Sequence, residues 1–549
     1  ERAWLSGFTG SAGFVVVTKN HAALWTDGRY FTQAPIELAG SDIMLMKDGM
    51  EGTPNYIDWI ISETSENATV AVNALATSNA NWETVQNELA FNNRSLKNLP
   101  LLDEIWKDRG EEVKNPVFVQ PIERSGQSVE NKIAAIRNKM KMEKATLHII
   151  SSLDDVAWTL NLRGSDVNCN PVFMSYLIIT STTAILFVDK SKLDSEAHQL
   201  MDNSNVSIKD YASFFTYLSG LSKEHILISS NSNQAIFEEI QQRNTVVKRA
   251  VPGHLMKAVK NKTEIEGFRI AMERDGVAMV KFLYWLTHNV GKERLNEYQI
   301  GEKLLGFRAE GKNFVGTSFG SIVGYKGNGA IIHYAAPKEG SAEVSNDASI
   351  LVDSGGQYLE GTTDITRTFP LGEVSDKFKH DSTLVLKGMI RLSMVKFPKG
   401  TCGTHLDILA RQALWNEGKD YNHGTGHGVG CFMNVHEGPQ SIRKDLTNVP
   451  LQVGMVVSNE PGYYPVGEYG IRHENLVTVK EWKTTEWNTF YEFETLTICP
   501  FFKSAIVKEL LTDEEIKWLN DYHKYCEEKL AKHLSGDLKK WFLEMVSPL

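Results

Sequence analysis

The stretch from Asp420 to Gly430, DYNHGTGHGVG, sets His423 and His427 four residues apart, with a glycine at every second position from Gly424 onward. A zinc-protease helix of the H-E-x-x-H type needs a glutamate after the first histidine and good helix formers between the two. Here glycines fill that spacing, so a helix is disfavoured. A phosphate-binding loop of the G-x-x-x-x-G-K-[ST] type would need a lysine after the glycines, and none follows. The segment is therefore expected to be a loop or strand end whose backbone passes close to a neighbour.

Four carboxylates stand in apolar, β-rich segments on either side of this stretch: Asp353 and Asp364 in SILVDSGGQYLEGTTDITRTF (349–369), Glu460 in VGMVVSNEPGYY (453–464) and Glu474 in GIRHENLVTV (470–479). Two strands joined by a turn can bring Asp353 and Asp364 together on one face. The alternative is that each aspartate only caps a turn, which is common. Glu474 is predicted to lie inside a strand, where its alternative role is an ion pair with Arg472. Carboxylates in such surroundings are costly unless they are paired or bind a metal.

His427 and these four carboxylates together carry too much negative charge to cluster without cations. Two divalent ions about 3.5–4 Å apart, bridged by carboxylates, would resolve this repulsion and form a two-metal hydrolytic centre. Oxygen-rich ligands with one nitrogen suit Mn²⁺, Co²⁺, Fe²⁺ or Zn²⁺ and do not choose among them. The spacing alone does not assign individual ligands to individual metals.

The 549 residues predict two to four domains. The segments 4–30 and 158–190 are loosely alike, since each begins with Trp and a helical turn and continues as a strand, turn and strand. They suggest two related α/β domains, at 1–115 and 116–258, followed by a catalytic domain at 259–549. A long amphipathic helix is expected from Thr263, with Thr263 as its N-cap, and a helical tail is expected from Thr512.

Bulk composition narrows the classes of protein. A net charge of −10 and a pI near 5.9 argue against a dedicated nucleic-acid binder. The sequence contains no apolar run of 18 or more residues, so no membrane span is predicted. The five cysteines form no C-x-x-C pair, which favours reduced thiols in a reducing compartment. The chain begins with Glu rather than Met, so we expect an N-terminal segment to be missing.

The segments LVDSGGQYLEGTTDITRT, HGTGHGVG…NVHEGP and SNEPGYY…GIRHEN, together with GFTGSAG…WTDGRY near the start, resemble the pita-bread metallopeptidases. Among these metallopeptidases, the segments are most similar to the eukaryotic, three-domain aminopeptidase P (Xaa-Pro aminopeptidase) family. The resemblance covers essentially the whole chain. It implies an α/β (α+β) fold with two creatinase-like N-terminal domains, the first truncated at its N-terminus by some tens of residues. A pita-bread catalytic domain with a helical C-terminal tail would follow.

The resemblance also implies roles for the metal-site residues. Asp353 would be a bidentate ligand of one metal, Asp364 and Glu474 would bridge both, and His427 and Glu460 would complete the other. Glu460 would also act as general base on the bridging hydroxide. Two divalent ions per subunit are implied, with Mn²⁺ the usual ion of the family and Zn²⁺ or Co²⁺ as alternatives.

Four further residues match substrate-binding positions of the family: Arg29, His333, His423 and His436. His333 and His436 would also take part in catalysis, His436 by donating to the scissile carbonyl. His473, at a place that is more often aliphatic, is expected to face away from the metals because neighbouring strand residues alternate.

The activity implied is release of the first residue from peptides whose second residue is proline, by a cytoplasmic homodimer that binds neither nucleic acid nor membrane. Three alternative functions are compatible with parts of this pattern. A prolidase shares the metal set but cleaves only dipeptides, and a non-catalytic binding protein on the same fold would be expected to have lost ligands. Methionine aminopeptidase would leave residues 1–258 unexplained.

Overall fold

A computed structural model describes residues 1–110 and 113–549. The chain divides into two compact units, the first comprising Glu1–Ile122, Gln127–Val167 and Pro171–His254, and the second Glu123–Gly126, Asn168–Asn170 and Leu255–Leu549. We call them the N-terminal unit and the C-terminal unit. The finer division expected from the sequence, at residues 115 and 258, stays a prediction. Within the described ranges, no helix is long and apolar enough to cross a membrane.

The N-terminal unit combines short helices with mixed sheets. Its helices, of which α6 and α12 run past the boundary of the unit, are α1 (Arg2–Ser6), α2 (Gln33–Glu37), α3 (Tyr56–Glu63), α4 (Asn79–Phe91), α5 (Leu101–Ile105), α6 (Ile122–Ser125), α7 (Val129–Met142), α8 (Leu153–Thr159), α9 (Ser195–Asn203), α10 (Phe214–Ser219), α11 (Gln234–Ile240) and α12 (Pro252–Ala258). Its strands are β1 (Phe14–Val17), β2 (Ala22–Thr26), β3 (Ile43–Lys47), β4 (Thr69–Val72), β5 (Ser95–Asn98), β6 (Phe118–Val119), β7 (Leu147–Ile150), β8 (Leu162–Arg163), β9 (Ser175–Thr180), β10 (Ala184–Val188), β11 (Val206–Lys209), β12 (His225–Ile228) and β13 (Thr245–Lys248).

The two helix-and-hairpin segments read from the sequence are both present in this unit. The antiparallel pair β1–β2 follows α1, and the antiparallel pair β9–β10 follows α8. The first pair belongs to a sheet of order β1-β2-β3, and the second to a six-stranded sheet of order β11-β10-β9-β7-β12-β13. Both sheets mix parallel and antiparallel pairs, which agrees with the predicted α/β class.

The C-terminal unit contains longer helices and mostly antiparallel strands. Its helices are α13 (Lys262–Asn289), α14 (Glu297–Ala309), α15 (Asp376–Met394), α16 (Gly403–Trp415), α17 (Asp513–Leu530) and α18 (Gly536–Met545). Its strands are β14 (Leu295–Asn296), β15 (Phe314–Thr317), β16 (Ile322–Tyr325), β17 (Glu343–Val344), β18 (Ser349–Ser354), β19 (Gly356–Tyr358), β20 (Gly361–Thr362), β21 (Ile365–Pro370), β22 (Lys396–Pro398), β23 (Gly426–Gly428), β24 (Glu437–Ile442), β25 (Val456–Asn459), β26 (Gly462–Tyr463), β27 (Ile471–Arg472), β28 (Asn475–Thr484) and β29 (Thr489–Thr495).

The start of α13 corrects one expectation from the sequence. Asn261, not Thr263, is the N-cap, because its side-chain oxygen accepts from the backbone N–H groups of Thr263 and Glu264 at 2.9 and 3.0 Å. The Glu264 carboxylate accepts in return from the N–H of Asn261, which completes a capping box. The predicted cap at Thr512 is confirmed, since its hydroxyl accepts from the N–H of Glu515 at the start of α17.

Two antiparallel sheets carry the residues of interest in the C-terminal unit. One has the strand order β16-β18-β21, and the other has the order β22-β29-β28-β25-β23-β24. A large apolar core joins the helices α13, α15, α17 and α18 to strands β25 and β28 of the second sheet, through buried side chains such as those of Phe268, Met389, Leu519, Val456 and Leu476. The ends of the strands are thereby held by a closely packed core.

Candidate metal centre

Asp353 and Asp364 are brought together by β18 and β21. These strands pair antiparallel with Asp353 opposite Thr366, and Asp364 directly precedes β21. The Oδ2 atom of Asp353 accepts a hydrogen bond from Nη2 of Arg472 at 2.6 Å. Its Oδ1 atom is buried and has no hydrogen-bond partner among the described residues. A buried carboxylate oxygen is costly without a positive or donating partner. This oxygen therefore fits the role of a cation ligand.

The glycines around His427 allow a close approach of strands. A Cβ atom at Gly426 would lie only 2.0 Å from the carbonyl oxygen of Ser458, so β23 can pack against β25 only with glycine there. This fits the expectation that the stretch is a strand end rather than a helix. His427 Nδ1 lies 2.9 Å from the carbonyl oxygen of Gly428 and donates to it, since a carbonyl can only accept. This tautomer directs the Nε2 lone pair at a ligand.

Three of the five expected ligands converge on one point. Single ligand atoms of Asp364, His427 and Glu474 all lie within 4.8 Å of one another. His427 Nε2 is 3.4 Å from Oδ2 of Asp364 and also 3.4 Å from Oε1 of Glu460, which adds a fourth residue to the group. Glu460 directly follows β25, as expected.

Hydrogen bonds orient the two glutamates. Ser458 Oγ donates to Oε1 of Glu460 at 3.0 Å, and Thr366 Oγ1 donates to Oε2 of Glu474 at 2.7 Å. Glu474 lies between β27 and β28 rather than inside a strand, so the prediction of its local structure was wrong.

The electrostatics of the cluster point to missing positive charge. Burial, followed by repulsion from Asp364, Glu460 and Asp353, raises the pKa of Glu474 well above its usual range. Burial also raises the pKa of Glu460 to about 7, although His427 acts in the opposite direction. Burial disfavours the charged form of His427, but Asp364 and Glu460 outweigh it and raise its pKa to about 9. Protons are thus drawn to sites that divalent cations would occupy, and the donor set fits such ions.

His423 does not point its ring nitrogens at the carboxylates. Its Nδ1 donates to the carbonyl oxygen of Gly424 at 2.8 Å, and its Nε2 lies 2.8 Å from the hydroxyl oxygen of Tyr464. Arg472 Nη1 donates to that hydroxyl at 2.7 Å, so the hydroxyl in turn donates to His423. Burial, with the Arg472 charge next, holds the pKa of His423 well below its usual range and keeps the ring neutral.

His436 lies close to His427, and the charge of His333 acts on His423. The ring of His436 is 4.3 Å from that of His427, centroid to centroid, and His436 is exposed. The charge of His333 is a minor cause of the lowered pKa of His423. Arg29 belongs to the N-terminal unit, where its guanidinium pairs with both carboxylate oxygens of Asp27 at 2.8 and 2.7 Å. The roles expected for these residues stay predictions.

His473 faces away from the carboxylate cluster. Its Nε2 lies 3.0 Å from the hydroxyl of Ser382 on α15, and burial lowers its pKa to about 3. His473 lies in the same gap between β27 and β28 as Glu474, so its orientation is set by this contact with Ser382 and not by strand alternation.

Sequence reasoning missed two residues of the site. Arg472 was considered only as a partner of Glu474, but it binds Asp353 and Tyr464. Tyr464 was not singled out at all. The only local signal was the position of Arg472, two residues before a candidate ligand. Its contact with a residue 119 positions away depends on how β27 packs beside β18 and β21.

A second group of His and acidic residues is already neutralised by the protein itself. His380, Asp381 and Glu417 are close enough to share an ion. Lys419 Nζ, however, lies 2.8 Å from Asp381 and 2.6 Å from Glu417. An ammonium therefore occupies the place that a metal would take, and this group is a salt-bridge network.

Four family matches cover nearly the whole chain. Residues 1–107 and 108–264 each match a creatinase/prolidase N-terminal domain, residues 266–481 match metallopeptidase family M24, and residues 489–549 match the C-terminal region of peptidase M24.

The chain is also similar to individual proteins along its full length. It is 41% identical to a probable Xaa-Pro aminopeptidase P of Laccaria bicolor, a match covering 100% of this chain and 88% of the relative. The crystal structure of X-prolyl aminopeptidase from Caenorhabditis elegans, described as a cytosolic enzyme with a di-nuclear active site, is 35% identical. It superimposes with a TM-score of 0.95 over 100% of this chain and 92% of that one. The prolidase of Pyrococcus horikoshii, at 21% identity and a TM-score of 0.53, covers 67% of this chain and 99% of its own and is similar in fold.

Proposed function

The chain belongs to metallopeptidase family M24, with creatinase-like N-terminal domains before the pita-bread domain, and on that premise we propose that it is an Xaa-Pro aminopeptidase. It releases the first residue from peptides whose second residue is proline. The observation that carries this proposal is the convergence of Asp364, His427 and Glu474 within 4.8 Å, with Glu460 beside them, in a chain related to such enzymes over its full length.

Two divalent metal ions would be held by five side chains: Asp353, Asp364, His427, Glu460 and Glu474. The unpartnered Oδ1 of Asp353 and the raised pKa values of Glu460 and Glu474 support this assignment. When bound, such ions lower the pKa of a water molecule and polarise the substrate carbonyl. We take Mn²⁺ as the native ion, with Zn²⁺ or Co²⁺ as alternatives that the donor set also accepts.

Glu460 serves as the proton carrier of the reaction. Its carboxylate accepts a hydrogen bond from Ser458, which fixes its orientation. It takes the proton of the attacking water and delivers it to the proline nitrogen as that nitrogen leaves. His436, next to His427, donates to the oxygen of the scissile carbonyl as negative charge develops there.

Substrate selection follows from the residues around the cluster. The acidic cluster attracts the free α-amine of a peptide, which restricts cleavage to the N-terminus. The bond before proline is a tertiary amide with a fixed ring, and His333, His423 and His436 form the walls of the pocket that accepts it. The role of Arg29 in peptide binding is proposed from the family resemblance alone. We also propose a cytoplasmic homodimer acting on peptides, with no nucleic-acid or membrane partner.

The prolidase alternative is disfavoured because the relatives matched over 100% of this chain are named as Xaa-Pro aminopeptidases, whereas the Pyrococcus horikoshii prolidase matches only 67% of it. A non-catalytic binding protein is disfavoured because all five expected ligand positions carry a residue that can bind a metal.

The test is hydrolysis of Arg-Pro-Pro and of the dipeptide Ala-Pro by metal-stripped protein, with and without added Mn²⁺ or Zn²⁺. Release of arginine that depends on added metal is the expected result. Cleavage of Ala-Pro alone would indicate a prolidase. No cleavage of either peptide by protein with measured bound metal would overturn the proposed activity.

A further inference from the structure

Glu297, the first residue of α14, is completely buried and is not one of the expected metal ligands. Its Oε1 accepts from the backbone N–H of Tyr325 at 2.7 Å, and its Oε2 accepts from the hydroxyl of Tyr334, also at 2.7 Å. The Asn328 side-chain amide donates to both oxygens at 3.0 and 3.1 Å. Within the described ranges, no lysine or arginine forms an ion pair with this carboxylate.

A buried carboxylate is costly unless its oxygens are hydrogen-bonded. Here every donor comes from one short stretch, residues 325–334, which we call the His333 segment. The Asn328 amide also lies 3.1 Å from the Tyr334 hydroxyl, so the donors are joined to one another. Burial and the neighbouring Glu297 carboxylate raise the pKa of Tyr334, which keeps its hydroxyl a donor. Glu297 therefore organises both ends of the segment around a single anion.

The position of Glu297 itself is fixed by the start of α14. Asn296 and Gln299 form a capping box there, and the backbone N–H of Glu297 donates to the carbonyl oxygen of Ala342 at 3.1 Å. A negative charge at a helix N-terminus is also favoured by the helix dipole. The carboxylate is thus attached to a rigid element.

The opposite side of the His333 segment faces the site. The carbonyl oxygen of Ile332 accepts from Nη2 of Arg472 at 3.4 Å, and the same guanidinium nitrogen binds Asp353. Gly470 lies directly against the segment, since a Cβ there would be 1.6 Å from the carbonyl oxygen of Gly329. His333 directly follows Ile332 in the chain. A shift of the segment by a few tenths of an ångström would therefore move His333 relative to its neighbours.

We propose that Glu297 is a positioning residue for the reaction: its carboxylate holds the His333 segment so that His333 meets the peptide in one fixed place. The inference rests on the proposed function, because it assumes that His333 contacts substrate. It predicts that Glu297 acts on substrate binding only through His333, whereas a purely structural residue would weaken activity whether or not His333 is present.

The first test is a double-mutant cycle with Glu297→Gln and His333→Ala, measured as kcat and KM for Arg-Pro-Pro with Mn²⁺. Gln keeps the shape but presents an N–H group to donors, so at least one hydrogen bond is lost. We expect Glu297→Gln to raise KM about 10-fold with kcat changed less than about 3-fold. In the His333→Ala background the same change should have an effect of less than about 2-fold, as coupling requires. An equal effect in both backgrounds would overturn the proposal.

The second test does not depend on activity. Hydrogen–deuterium exchange of a peptide covering residues 325–334 should become faster in full-length Glu297→Gln. The matched control is Glu302→Gln, which changes an exposed glutamate of the same helix and should leave that exchange unaltered. Unchanged exchange in Glu297→Gln would overturn the proposal. A wild-type protein that binds metal but cleaves no peptide would instead refute the proposed function, while the exchange result would still decide whether Glu297 holds the segment.

Discussion

The guanidinium of Arg472 lies 2.6 Å from Oδ2 of Asp353, and both side chains are buried. The same guanidinium donates to Tyr464, which in turn donates to His423. An expected metal ligand and an expected substrate-binding histidine are thereby connected through two residues whose roles sequence patterns do not indicate. The buried charge of Arg472 offsets part of the repulsion within the carboxylate cluster.

Replacing Arg472 by Met should destabilise the metal-stripped protein by about 3–5 kcal/mol, because it leaves a buried charge without its partner. Arg443→Met is the matched control, since Arg443 pairs with Asp445 on the surface and both side chains are at least half exposed. The control should change stability by less than about 1 kcal/mol. The free energy of unfolding in urea measures both. Equal losses in the two variants would show that the Arg472–Asp353 pair contributes no more than a surface ion pair.

The pKa shifts predict how the metal-stripped protein responds to pH. The pKa of Glu460 rises from 4.5 to about 7 on folding. Its protonation therefore contributes fully to the free energy of unfolding below pH 4.5, and this contribution is lost as the pH rises to 7. The pKa of His427 rises from 6.5 to about 9, so its contribution to the free energy of unfolding is lost as the pH rises from 6.5 to 9. Both effects lower stability as the pH increases from 4.5 to 9.

The measurement is Tm against pH for chelator-treated protein, beside metal-loaded protein and the variant Glu460→Gln. The decline between pH 5 and 7 should be shallower in Glu460→Gln, and bound metal should remove most of the dependence because it holds the ligands deprotonated. Parallel curves of Tm against pH for the wild-type protein and Glu460→Gln would contradict the raised pKa of Glu460.

How much of this site was predictable from the sequence differs from residue to residue. The strand ends at Asp353 and Glu460, and the non-helical stretch around His427, follow from local apolar and glycine patterns. The assignment of Asp364 and Glu474 as bridging ligands came only from resemblance, since spacing does not order ligands around two ions. The Arg472–Asp353 contact depends on tertiary packing between strands far apart in the chain, which no local pattern encodes. The cap of α13 was misplaced because Asn261 and Thr263 are both good capping residues and only the backbone geometry separates them.

The buried pair of Lys260 and Glu437 supports the turn that carries His436. Both side chains are almost fully buried, and Lys257 Nζ lies 3.8 Å from the other oxygen of the Glu437 carboxylate. Glu437→Gln should cost about 3–5 kcal/mol, because it leaves the buried Lys260 ammonium without the carboxylate that it pairs with. Lys260→Met should cost less, since Lys257 remains to pair with the carboxylate.

The free energy of unfolding in urea measures whether Glu437→Gln costs more than Lys260→Met. Lys377→Met is the control, because Lys377 and Glu468 form an ion pair in which both side chains are half exposed. The control should lie within about 1 kcal/mol of the parent protein. A larger loss for Lys260→Met than for Glu437→Gln would show that the two lysines do not share the carboxylate.

Asp364→Asn should have opposite effects on metal binding and on the stability of the metal-stripped protein. Asp364 is one of the charges that raise the pKa values of Asp353, Glu460 and Glu474, so its removal relieves repulsion in the cluster. The metal-stripped variant should therefore unfold at a higher temperature than metal-stripped parent protein. Loss of this proposed ligand should at the same time lower the bound metal from about two ions per chain, as in two-metal centres, to one or none. Metal content by mass spectrometry and Tm after chelation measure the two effects, with Asp521→Asn as control because that carboxylate is exposed on α17. Retention of both ions by Asp364→Asn would remove Asp364 from the ligand set, even if the variant were inactive.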